Sequence, residues 1–226
     1  MSGVRQANIM HARYQEWLKH VFDHPVTSPE WHFDEDAPAF IAGAADVVHL
    51  MADTFRNSGR DLAGFTDAQV DQGLWYLASF SASNYFGELQ DGATPLRRRI
   101  LAIKSILSLY QDCFRPRCTE TLGHLDEPGA SELNSICYMF WDVGPLTCLA
   151  DAPDRIKLED AVFETLEAVL AIPHRACRES AFHGLGEMSH ASPDRVREVV
   201  GRFLACANID EPLRAYASNA REGNIL

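Results

Sequence analysis

Histidine and cysteine side chains are concentrated in one stretch of the sequence, where they could bind a metal ion. The stretch carries His174, Cys177, His183 and His190. Imidazole and thiolate are ligands that Zn²⁺ prefers. However, the four positions do not share one helical face, and structural zinc sites hold their ligands in closer pairs. The spacing therefore favours a partly buried thiol beside surface histidines, and we predict no metal site.

A single carboxylate follows the most apolar run of the chain. Asp142 comes directly after Tyr138, Phe140 and Trp141. A carboxylate near a core needs a partner, and with a raised pKa it could act as a general acid or base. The interpretation that we favour is that it marks a helix end or pairs with an arginine. Asp142, His183 and His190 form the alternative polar site of an enzyme or metal-binding protein.

An aromatic and acidic segment is the candidate binding surface. It consists of Trp31, His32, Phe33, Asp34, Glu35 and Asp36 on a predicted loop, and we call it the Trp31 segment. Interface hot spots favour tryptophan, and acidic charge steers a basic partner toward its site. We therefore predict that this segment binds another protein. Alternatively, Trp31 and Phe33 pack as a lid on the first helices, and the acids favour the N-terminus of the next helix.

Charge and motif content narrow the function classes. Twenty Lys and Arg against 32 Asp and Glu give a net charge of −12, which repels nucleic-acid phosphates and anionic lipids. We expect neither nucleic acid nor a membrane as partner, but a protein with a basic surface. The densest basic run, Arg97 to Arg99, is predicted to be a solvated helix face. The sequence has no phosphate-binding glycine loop, nucleophile elbow or dinucleotide fingerprint, so it indicates no catalytic residue and no cofactor.

Composition predicts one ordinary globular domain. The 226 residues are 46% hydrophobic and 23% charged. The chain has neither an apolar leader nor an apolar run of roughly 18 residues, so we expect a cytoplasmic protein. Its six cysteines lie mostly in apolar segments and are expected to be reduced and mostly buried.

Helical periodicity recurs through nearly the whole chain. Residues 1–125 are predicted to form irregular amphipathic helices, and residues 130–226 helical hairpins. Specific signals are a helix that ends at Pro25, a long helix with Asp36 as N-cap, and a Thr66–Gln69 capping box. A further stripe of apolar residues follows Pro95 and ends at Pro116. The predicted fold class is all-α.

The end of the chain contains an internal repeat. Pro173, Arg175, Ala176, Ala181 and Gly184 recur 39 residues later as Pro212, Arg214, Ala215, Ala220 and Gly223. Between the copies lies a predicted helix that starts at Ser192-Pro193. Residues 173–226 thereby resemble HEAT-like repeats. The resemblance implies an α-α superhelix whose concave surface usually binds protein and less often nucleic acid or metal.

The leading hypothesis is a non-catalytic, protein-binding helical domain. It could serve as a scaffold or as a bacterial immunity or antitoxin-type protein that neutralises a toxin. The alternative is an enzyme or metal-binding protein on the same HEAT-like scaffold, because fold alone does not determine function.

Overall fold

A computed structural model describes residues 2–34, 36–149, 152–206 and 208–225, with side chains from Ile9 onward. The predicted all-α class is confirmed, because the regular structure in these ranges is helical and includes no strand. The helices are α1 (Ser2–Phe22), α2 (Ala44–Arg56), α3 (Ser58–Asp61), α4 (Asp67–Ala78), α5 (Leu96–Leu109), α6 (Arg115–Arg117), α7 (Leu133–Met139), α8 (Arg155–Leu170), α9 (Arg175–Met188), α10 (Pro193–Cys206) and α11 (Glu211–Arg221). Within these ranges, none of the helices is both long enough and apolar enough to cross a bilayer.

Local sequence signals set several helix ends. The predicted capping box is present at α4, where the Thr66 side chain accepts the Gln69 N–H and the Gln69 side chain accepts the Thr66 N–H. The Asp210 side chain caps α11 by accepting the Leu213 N–H. One π-helical turn, Tyr110–Phe114, continues α5 up to α6. These helix ends follow from residues only a few positions apart.

The helices pack in two rows. One row runs from α1 to α4, α7, α9 and α11, and the other from α2 to α5 and α8. Helix α10 packs against α9 and α11. Buried side chains from both halves of the chain, from Trp17 to Ala220, form one core cluster. This packing leaves three interpretations as predictions: the single domain, the α-α superhelix and the HEAT-like resemblance.

The prediction of a helix starting at Asp36 is wrong. Helix α2 begins at Ala44, after an extended N-cap at Gly43. Pro38 disfavours helical geometry at the residue before it. Phe40, four residues after Asp36, instead packs edge-on against Trp17 of α1 at 5.2 Å, with the Arg13 guanidinium 4.1 Å from its ring centre. This contact with α1 holds the segment outside α2.

The prediction that Arg97 to Arg99 form a solvated face is wrong for Arg99. Its side chain is 1% exposed. The guanidinium donates to the carbonyls of Thr94 and Pro153 and pairs with Asp154 at 3.0 Å. These partners satisfy the buried charge and fasten the start of α5 to the start of α8.

The two copies of the repeat have different local structures. Pro173 precedes α9, whereas Pro212 lies inside the first turn of α11. Gly184 is in the middle of α9, whereas Gly223 follows α11 with a φ of 75°. The repeat therefore marks the starts of two helices without giving them the same ends.

All six cysteines are free thiols in the structure. Four are buried and two are exposed: Cys113, Cys118, Cys137 and Cys177, against Cys148 and Cys206.

Candidate functional site

The aromatic and acidic segment is half packed and half exposed. The Trp31 indole stacks on the His24 imidazole with ring centres 3.7 Å apart, and it lies 4.7 Å from the Tyr76 ring. Phe33 is 58% exposed, and Asp34 and Asp36 are exposed as well. Glu35 lies outside the described residues. The segment thus combines the predicted lid, formed by Trp31, with the predicted exposed surface, formed by the residues after it.

A cleft of about 480 Å³ opens beside this segment. Its walls come from four parts of the chain. Glu30 and the Trp31 segment form one wall, and α4, the loop after α4 and α7 form the others. The lining residues are Glu30, His32, Phe33, Asp71, Gln72, Trp75, Ser79, Ser81, Ala82 and Ser135. Neither lysine nor arginine occurs among these lining residues, whereas Glu30 and Asp71 are acidic. We call this feature the acidic cleft. Its volume is in the range of small-ligand sites.

Asp71 is the most perturbed carboxyl group of the acidic cleft. Burial raises its pKa from 3.8 to about 7, and the negative charges of Glu132 and Glu30 act in the same direction. The Ile136 N–H donates to Asp71 Oδ1 at 3.3 Å and, together with Trp75, partly opposes the rise in pKa. Asp71 therefore exchanges its proton near neutral pH, and a nearby cation would favour its ionised form.

Buried polar atoms around the cleft lack partners. The Gln72 side chain is 4% exposed and its Nε2 donates to the His24 and Pro25 carbonyls, but its Oε1 has no partner among the described residues. Trp31 Nε1 and His32 Nδ1 are likewise buried without a hydrogen-bond partner among the described residues. Such groups usually find a protein, water or ligand partner. Three buried polar atoms close to the acidic cleft thus have no partner among the described residues.

Two histidines near the cleft, His20 and His32, are electrically neutral at physiological pH. Burial lowers the pKa of His20 to about 4, and the neighbouring His24 lowers it further. Burial also lowers the pKa of His32. His20 Nε2 lies 3.1 Å from the Tyr76 hydroxyl, and His24 Nε2 lies 2.7 Å from the His20 carbonyl at the end of α1. Because the His20 and His32 rings stay uncharged, they do not neutralise the carboxylates of the cleft.

A second cluster contains two residues of the alternative polar site. Asp142, His183 and Glu187 each place one potential metal-ligand atom within 4.8 Å of the others. Asp142 is exposed just beyond the end of α7, so the helix-end interpretation describes its position. No ion pair with an arginine is formed by Asp142 in the described part of the chain.

His190 does not belong to this cluster. It is exposed and lines a cavity of about 290 Å³ together with Glu187 and Cys148. His174 and Cys177 are also separate from it, buried near Cys137, and His174 Nε2 lies 3.2 Å from the Cys118 carbonyl. The structure therefore brings His183 close to Asp142 but divides the histidines and the thiol of the sequence stretch among three places.

A buried network holds His183. Its Nδ1 lies 2.7 Å from the Tyr216 hydroxyl, which also lies 3.1 Å from the Tyr138 hydroxyl. The His124 ring stacks on Tyr216 at 4.2 Å. Glu179, 1% exposed, accepts the backbone N–H groups of Gly123 and His124 and contacts His124 Nδ1 at 2.5 Å. Residues of α7, α9 and α11 thus fix the orientation of the His183 ring.

Comparisons with protein-family models, with curated proteins and with solved structures each give no match for this chain.

Sequence reasoning missed three residues of these sites. Asp71 and Tyr216 gave no motif, because their environments are formed by residues distant in the chain. Glu187 was detectable, since it lies four positions after His183 and so on the same helical face.

Proposed function

We propose that the protein is a non-catalytic, protein-binding domain that receives a basic side chain of its partner in the acidic cleft. The partner surface carries a lysine or arginine, and the Trp31 segment forms the rim around it. A scaffold and an immunity or antitoxin-type neutralising protein are two forms of this function.

The observation that carries the proposal is the charge of the cleft. Glu30 and Asp71 line it, Glu132 adds negative potential, and lysine and arginine are absent from its described lining. Burial raises the pKa of Asp71 and the charges of Glu132 and Glu30 add to the rise, so a cation in the cleft would favour the ionised carboxylate.

Aromatic side chains in the same cleft favour a guanidinium or ammonium group. The faces of Trp75 and Phe33 can attract a cation. Phe33, exposed at 58%, supplies an apolar contact at the rim for the remainder of a partner surface. We favour binding over catalysis because no hydrogen bond joins Asp71 to a serine hydroxyl among the described lining residues.

A small cationic probe tests the cleft directly. We expect Nα-acetyl-arginine methylamide to shift the NMR signals of Trp75, Ser81 and Ser135, and the neutral citrulline analogue to leave them unchanged. Asp71→Asn should weaken arginine binding by about tenfold, because a charge-assisted contact is lost. Affinity should fall from pH 8 to pH 5.5 as Asp71 binds a proton.

Capture of partners from the native host tests the function itself. Protein recovered by the wild-type chain at low and moderate salt should be lost with the Glu30→Gln, Asp71→Asn double variant. Glu164→Gln, which removes one exposed charge on α8, is the matched control. Equal recovery by the double variant and the wild type would refute the proposed binding mode.

A further inference from the structure

We infer that Asp142, His183 and Glu187 form a binding site for one first-row divalent cation, of which Zn²⁺ is the best match. The three potential ligand atoms already lie within 4.8 Å of one another. This cation site is distinct from the acidic cleft and does not depend on the proposed function.

The helix places two of the ligands on one face. His183 and Glu187 are four residues apart on α9, so their side chains are neighbours on the helix surface. Ligands on a regular helix are held more rigidly than ligands on a loop.

A glycine brings the third ligand into reach. A Cβ atom on Gly184 would lie 2.8 Å from Trp141 Cγ, so Trp141 can pack against α9 at this distance only because residue 184 has no side chain. Asp142 follows Trp141 in the chain. The close packing of Trp141 therefore carries the Asp142 carboxylate toward His183.

His183 is oriented in the way that metal-binding histidines usually are. The side chain is 3% exposed, and Nδ1 contacts the Tyr216 hydroxyl at 2.7 Å, which leaves Nε2 as the nitrogen for a metal. A hydrogen bond to the second ring nitrogen fixes the ring and its tautomer.

The two carboxylates lack a positive partner. Neither Asp142 nor Glu187 forms an ion pair or a side-chain hydrogen bond within the described residues. A divalent cation would balance both negative charges, and both side chains are exposed enough to rotate toward it.

The donor set selects the class of metal. Zn²⁺ accepts imidazole nitrogen and carboxylate oxygen at about 2 Å, whereas Ca²⁺ and Mg²⁺ prefer oxygen ligands alone. Ligands of a tetrahedral ion lie about 3–4 Å apart, so a closure of roughly 1 Å by side-chain rotation completes the site. Three protein ligands leave one position for water or for a ligand from solution.

The experiment measures Zn²⁺ and Co²⁺ binding to chelator-treated, full-length protein. Exposed thiols also bind zinc, so the Cys148→Ser, Cys206→Ser double variant is the reference protein. We expect one Zn²⁺ per chain by calorimetry, a Co²⁺ visible spectrum that Zn²⁺ abolishes, and a rise in Tm with added Zn²⁺. In the reference protein, Asp142→Asn and Glu187→Gln should each weaken binding by at least about tenfold, and Tyr216→Phe by about 10- to 100-fold.

His190→Ala is the matched control, because His190 is an exposed histidine close in sequence that lies outside the cluster. Its Zn²⁺ affinity should equal that of the reference protein, and circular dichroism should show that each variant is folded. The inference is overturned by an absence of stoichiometric binding at 100 μM Zn²⁺. A Kd of 100 μM corresponds to a binding free energy of about 5.5 kcal/mol. The inference is equally overturned if Asp142→Asn and Glu187→Gln bind Zn²⁺ like the reference protein, or if His190→Ala loses binding as they do.

Discussion

Replacement of Asp71 by asparagine should stabilise the protein, and more strongly as the pH rises. The folded state raises the pKa of Asp71 from 3.8 to about 7, so it binds a proton more tightly than the unfolded chain does. The wild type therefore loses stability as the pH rises from about 4 through 7, and the loss is complete above the folded pKa. Asparagine has no charge at any of these pH values and can still accept the Ile136 N–H.

The pKa values give the size of the effect. The raised pKa of Asp71 lowers the free energy of unfolding by about 4 kcal/mol at pH 8 and by about 1 kcal/mol at pH 4.5, relative to low pH. Partial solvent access to this half-buried side chain reduces the cost. We therefore expect the stabilisation by Asp71→Asn to be about 2–3 kcal/mol larger at pH 8 than at pH 4.5.

Urea unfolding followed by circular dichroism at the two pH values measures this difference. Glu164→Gln is the control, because its carboxylate is exposed beside Lys104 and should change the free energy of unfolding by less than about 1 kcal/mol. A pH-independent effect of Asp71→Asn, or a destabilisation at pH 8, would show that Asp71 does not carry a raised pKa in the folded protein.

Three further predictions concern packing, buried charge and thiol exposure. Arg99→Met should destabilise the protein by about 2–4 kcal/mol in urea unfolding, because it leaves the Thr94 and Pro153 carbonyls without their donor. Asp154→Asn should destabilise it by about 1 kcal/mol. An equal cost for the two variants would contradict this ranking. Gly184→Ala should lower the free energy of unfolding by about 1–3 kcal/mol, since the new Cβ meets Trp141. Gly201→Ala in α10 places its Cβ in open space and should be neutral or stabilising by up to about 1 kcal/mol. Ellman's reagent should react quickly with two thiols, Cys148 and Cys206, and with the four buried thiols only on unfolding; fast reaction of a third thiol in native protein would contradict the burial.

Features determined by neighbouring residues were predictable from the sequence. The Thr66–Gln69 capping box and the end of α1 before Pro25 depend on a few adjacent positions. The all-α class follows from a periodicity that recurs in most segments. By contrast, the helix predicted from Asp36 failed because Phe40 gains a contact with Trp17, and periodicity contains no information about that contact.

The sites depended on contacts that the sequence does not display. Arg99 pairs with Asp154, 55 positions later, so its burial gave no local signal. The Trp31 segment stood out by its composition, but the depth of the acidic cleft arises from α4 and α7 packing beside it. His183 and Asp142 were selected separately for their chemistry, and only the packing of Trp141 on Gly184 brings them together.

The position of Tyr216 on the last helix has a consequence for local unfolding. Its hydroxyl contacts Tyr138 of α7 and His183 of α9, and Arg175 at the start of α9 pairs with Asp210 at the start of α11. Opening of α11 would therefore break its contacts with α7 and with α9 together. Amide protons in the cores of α9 and α11 should exchange with deuterium at similar opening free energies, as one cooperative unit, while α10 frays independently toward Cys206.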